Sequence, residues 1–105
     1  MPRTVTIMLD HDLGKEEARR RIDEGFDKIK SSLSGGALLK FTQNWDAEDS
    51  LSFEGKGLGQ QVAGKIDVFP NHVRIEATLP SLLASLAEII TGRIESEGKL
   101  LLEKK

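Results

Sequence analysis

The strongest constraint on this chain is a change of hydrophobic period near Pro80. Before it, apolar and polar residues alternate. After it, Leu82, Leu83, Leu86, Ile89, Ile90, Ile94 and Leu101 recur at three- and four-residue steps. Alternation belongs to strands with one buried face, and the longer period to a helix with one broad apolar face. The spacing predicts a closing helix from about Pro80 to the last residues, roughly 35 Å long at about 1.5 Å per residue. A sheet that leads straight into such a helix has a ready cover for its apolar side.

The rest of the chain fits that frame. Val5, Ile7 and Leu9 alternate with Thr4, Thr6 and Met8, which predicts a strand. Asp10 to Gly14 turns the chain, and Gly14 serves as the N-cap of a helix with Glu16 and Glu17 in its first turn. That helix buries Ala18, Ile22, Phe26, Ile29 and Leu33. It faces water with Glu16 and Arg20, Glu17 and Arg21, and Glu24 and Lys28 at the supportive i,i+4 spacing. Ser34-Gly35-Gly36 ends it. Four strands follow: Ala37 to Trp45, a stretch from Leu51 with Gly55, Gly57 and Gly59, Val62 to Val68, and Val73 to Leu79. Asp46 to Asp49 and Pro70-Asn71 make turns between them. The expected fold is α+β, ordered β-α-β-β-β-β-α. It is a single curved antiparallel sheet of about five strands with an N-terminal helix and a long C-terminal helix on one face. Residues 1–105 form one domain.

Composition narrows the function classes. A formal net charge of -2 gives no electrostatic case for nucleic acid or an acidic membrane surface. With no cysteine, disulfides and thiolate metal sites are excluded, in keeping with a reducing cytoplasm. No secretory signal is visible near Met1, and the longest apolar stretch, Leu79 to Ile90, is too short to span a bilayer and contains Glu88. The expected location is cytoplasmic.

Candidate chemistry is thin. Gly55-Lys56-Gly57-Leu58-Gly59 leads into a strand, whereas a phosphate loop opens a helix, so these read as structural glycines. His11 and His72 lie in separate turns without metal-ligand spacing, and Asp10-His11-Asp12 reads as a solvated turn with capping acids. Asp46, Glu48 and Asp49 read as a soluble hairpin tip. Arg19-Arg20-Arg21 is interleaved with acids and reads as a solvated helix face. Trp45 is a core plug or an exposed platform, with the core favoured. No nucleophile, base and oxyanion site assemble, so the expectation is a protein without catalytic activity and without cofactor or metal.

Leu100, Leu101 and Leu102 are the informative residues. Three consecutive leucines point in different directions around a helix, more than one small domain covers. At least one is a candidate contact with a partner, a second copy included; otherwise the helix end frays and they cover the sheet rim. Phe26, Phe41, Trp45, Phe53 and Ile90 are candidates for lining a pocket between sheet and closing helix, or for filling that space themselves.

These residues resemble a bacterial family, the polyhydroxyalkanoic acid system (granule-region) proteins. The resemblance rests on His11-Asp12-Leu13-Gly14-Lys15-Glu16-Glu17-Ala18-Arg19-Arg20-Arg21-Ile22 and on Gly57-Leu58-Gly59-Gln60-Gln61-Val62-Ala63-Gly64-Lys65-Ile66-Asp67-Val68. Leu79-Pro80-Ser81-Leu82-Leu83-Ala84, Gly92-Arg93-Ile94 and Leu100-Leu101-Leu102-Glu103-Lys104-Lys105 complete it. It implies a link to storage of polyhydroxyalkanoate, an intracellular polyester, and supplies no catalytic residues. The expected role is a non-catalytic accessory protein that binds a granule surface or a granule-associated protein. The element order is also similar to a reduced START-like, helix-grip fold. That analogy makes a carrier of a small apolar ligand the alternative.

Overall fold

The computed structural model describes residues 3–34, 40–57 and 59–103. The elements are β1 (Arg3–Asp10), α1 (Lys15–Ser34), β2 (Lys40–Ala47), β3 (Ser50–Gly57), β4 (Gln60–Val68), β5 (His72–Leu79), α2 (Ser81–Ala84) and α3 (Ala87–Leu102). The strands form one antiparallel sheet in the order β1-β5-β4-β3-β2. The α+β expectation therefore holds, with both long helices on one face. The structure of Gly35, Gly36, Ala37, Leu39 and Leu58 lies outside the described residues, as do the side chains of Leu33 and Leu82 and the residues Lys104 and Lys105.

Register explains the two faces. Ile7, Ile75, Ile66, Leu51 and Trp45 are successive cross-strand partners, one inward row spanning all five strands. The adjacent outward row is Thr6, Glu76, Lys65, Ser52 and Asn44. A shift of one residue would exchange these rows, so burial fixes the pairing. Ala18, Ile22, Phe26 and Ile29 of α1 and Ala87, Ile90, Ile94 and Leu102 of α3 close over the inward face, and all are buried.

Glycines decide two close approaches within the sheet. Gly64 sits between β3 and β5, where a Cβ would fall 2.1 Å from the carbonyl oxygen of Glu76 and 2.8 Å from the Phe53 ring. Gly55 makes room for the Phe41 ring, which would lie 2.7 Å from a Cβ there.

The closing segment differs from the expected single helix. Ser85 keeps helical angles, but Leu86 has φ -102° and ψ 10°, and its N–H donates to the Leu83 carbonyl at 2.9 Å. That tight turn separates α2 from α3. Pro80 is the N-cap of α2, and its carbonyl accepts from Leu83 and Ala84 at 2.9 Å each. The 16 residues of α3 span about 24 Å, not 35 Å. A turn closed by a three-residue bond keeps the apolar spacing, so periodicity does not reveal the break. It does reset the facing: Ile89, expected on the core side, is 57% exposed.

Candidate functional site

Three consecutive leucines part ways at the end of α3, and one of them is the most exposed of the large apolar side chains among the described residues. Leu102 points inward and is only 4% exposed. Leu101 packs against the core edge over Gly25 of α1; a Cβ on Gly25 would lie 2.2 Å from its Cδ2. Leu100 points outward and is 58% exposed. At about 100° per residue, Ile89 and Leu100 are eleven residues apart and lie on nearly the same line of the helix. Gly92, Arg93 and Ser96, all exposed, stand between them.

Arg21 fixes this end of α3. Its guanidinium donates to the carbonyl oxygens of Leu101, at 3.3 Å, and of Glu103, and its Nε donates to Glu17 at 2.9 Å. A cation on the terminal carbonyls of a helix satisfies acceptors that lack an intrahelical donor. Glu17 also accepts from Arg20, and hydrogen bonds from Arg20 and then Arg21 hold its carboxyl down at about 2. Beside this clamp runs an open groove of about 480 Å³, bordered by Arg20, Gly25, Lys28, Leu100 and Leu101.

The arginine run is therefore more than a solvated face. Arg20 alone stays in an exposed ladder, bonded to Glu17 and Glu24. Arg19 lies 4.0 Å over the Trp45 ring and donates to the Glu48 carbonyl at 2.6 Å, tying α1 to the β2–β3 hairpin. Trp45 is half-buried at the core edge with its indole N–H donating to Asp23 at 2.9 Å, so it is a rim residue and not a full core plug. It lies in β2, the edge strand of the sheet among the described residues.

The remaining candidate pocket residues are packed. Phe26 and Phe53 meet at 5.5 Å between ring centroids, Ile90 is fully buried, and Phe41 lies at the core edge over Gly55.

His11 is also more than a solvated turn residue. Its Nδ1 accepts from the Leu13 N–H at 3.2 Å, which leaves Nε2 to donate to the Phe69 carbonyl at 3.0 Å. The backbone N–H of His11 donates to Asn71. One imidazole thus joins the β1–α1 turn to the β4–β5 turn. His72 stacks on Phe69 at 4.4 Å, in the same neighbourhood. Antiparallel pairing of Asp10 with His72 brings together two histidines that are distant in sequence. Among the described residues no group of three His, Asp or Glu is arranged to hold a metal ion.

The acidic tip resolves into separate ties. Asp49 pairs with Lys15 at 3.2 Å, and hydrogen bonds from Ser52 and Asn44 hold Asp46 below the usual carboxylate range. Gly59 takes φ +72° in the β3–β4 turn, the structural role expected of that glycine-rich stretch. Sequence reading missed the contacts of Gly25 and Gly98. Gly98 rests on Leu9, whose Cδ1 would be 2.3 Å from a Cβ there. The signal was present: a glycine inside a helix costs about 1 kcal/mol relative to alanine and usually has a packing reason.

Sheet, clasping helices and an outward apolar line define a small α+β protein whose notable surface is a helix face. Residues 5–102 match the family described as "Putative polyhydroxyalkanoic acid system protein", and the chain belongs to that family. No curated protein sequence matches it. No helix among the described residues is long and apolar enough to cross a membrane.

Proposed function

We propose that this protein is a non-catalytic accessory component of polyhydroxyalkanoate storage that docks on the granule surface through the outward face of α3. The observation that carries the reading is the exposed pair Ile89 and Leu100, at 57% and 58%, aligned on one face. The two stand about 16 Å apart on one line of an ordered helix, so a single flat apolar surface can touch both, and family membership supports the polyester particle as what they meet. His11, the residue the sequence offers for base chemistry, has both ring nitrogens committed to backbone groups.

Co-sedimentation with washed polyhydroxyalkanoate granules tests this. The wild type is expected in the particle fraction, and Ile89→Glu with Leu100→Glu is expected to remain in the supernatant with an unchanged melting temperature. Equal partitioning of both proteins, or capture only when granule-bound proteins are left in place, would overturn docking on the polymer surface itself.

A further inference from the structure

The two rims of the sheet are built differently. The β2 rim is interrupted by a register shift between Trp45 and Ala47, carries Lys40 and Asp46, and is mostly polar. Such features discourage further strand pairing. The β1 rim has none of them. Its register runs unbroken from Arg3 opposite Leu79 to Asp10 opposite His72, with no proline and no charge between its ends. Met8 stands 56% exposed on its outer side.

We infer that the free edge of β1 pairs antiparallel with β1 of a second copy, about a two-fold axis through Ile7, joining two five-stranded sheets into one. Side-chain parity permits this centre. Ile7 faces Ile7 of the second copy, Val5 faces its Leu9, and Thr6 faces its Met8, so inward residues stay inward.

Charges on α3 fit the same axis. This helix returns from the Leu79 end of β5, which pairs with Arg3, so it runs in the direction of β1. Gly98 lies against Leu9. Moving from Leu9 to Ile7 covers about 6.6 Å of strand, the rise of between four and five residues of helix. The axis therefore crosses α3 about four to five residues before Gly98, and Glu88 and Lys99 stand at nearly equal distances on either side.

Leu101 marks the side of α3 that faces α1, and Gly98 the side that faces the sheet. At about 100° per residue, the flank above the β1 rim carries Glu88, Glu95 and Lys99. All three are exposed, and no ion pair ties them to other described residues. Pairing two copies brings Lys99 of each beside Glu88 of the other, while Gly92 leaves room opposite Glu95. Strand edge and helix flank thus give one centre and one orientation.

The chain has no cysteine, so introduced thiols report position without interference. Thr6→Cys protein mixed with Met8→Cys protein is expected to form a disulfide-linked dimer under mild oxidation. Sedimentation equilibrium of the wild type is expected to give twice 11.6 kDa at high concentration. Glu88→Lys or Lys99→Glu alone is expected to raise the dissociation constant about tenfold, and the double reversal to restore it. A wild type that stays monomeric at every concentration would overturn the inference. So would crosslinking confined to Leu100→Cys, or a double reversal that fails to restore association. Purified protein without polymer is used, so the result does not depend on granule docking.

Discussion

Leu101 of α3 sits in the notch above Gly25 of α1, and this contact sets how closely the two helices approach. It also divides the leucine run into a structural part and an available part. Truncating Leu102, which is buried, is expected to cost about 2–4 kcal/mol by denaturant titration. Truncating the exposed Leu100 should change stability by less than about 0.5 kcal/mol. A comparable loss from both would mean that the last turn packs differently.

Gly64 and Gly92 make an opposed pair. A methyl group on Gly64 meets backbone, the carbonyl of Glu76, and nothing nearby yields cheaply. Gly64→Ala is expected to destabilise by about 3 kcal/mol or more. Gly92 is exposed within α3 with nothing near its missing side chain, so Gly92→Ala is expected to stabilise by about 0.5–1 kcal/mol. Thermal melts of the two variants should move in opposite directions.

Part of the acid sensitivity should trace to the clamp on α3. Arg20 and Arg21 hold the Glu17 carboxyl at about 2 in the folded protein against 4.5 when free of them. The folded value is the lower one, so this stabilisation is complete above 4.5 and is lost as pH falls through the folded value near 2. Glu17→Gln is expected to be less stable at neutral pH and to show a shallower decline across that interval. Urea titrations at successive pH values measure both, and an unchanged slope would exclude Glu17 as a contributor.

Trp45 is the sole tryptophan, so its fluorescence reports one place. Arg19 covers its ring. Arg19→Ala should shift emission to longer wavelength and cost about 0.5–1 kcal/mol. An unshifted spectrum would show that the guanidinium does not shield the ring in solution.

Much of the fold was legible because alternation and helical spacing are directly coupled to burial. Val5, Ile7 and Leu9 face inward as parity requires, and Ala18, Ile22, Phe26 and Ile29 fill the α1 stripe. The carbonyl of Gly14 accepts from Ala18, as an N-cap should, while its φ of +81° departs from the extended N-cap conformation and is one that glycine takes readily. What escaped was tertiary. The Leu86 turn preserves the apolar spacing while rotating Ile89 outward. Arg19, Arg21 and His11 looked like surface residues because their partners, Trp45, the Leu101 and Glu103 carbonyls and the Phe69 carbonyl, are distant along the chain. For the leucine run, direction around the helix showed that not all three could be covered, but only the Gly25 notch decides which one is left.

The position of β1 beside β5 has a kinetic corollary. The ladders from β2 through β5 join consecutive strands and need only short loops to close. The β1 ladder instead pairs Arg3 with Leu79, across most of the chain. Closing so wide a loop carries the larger entropic cost and should come late in folding. Weakening Ile7 by truncation to valine should then hasten unfolding while leaving the refolding rate nearly as it was.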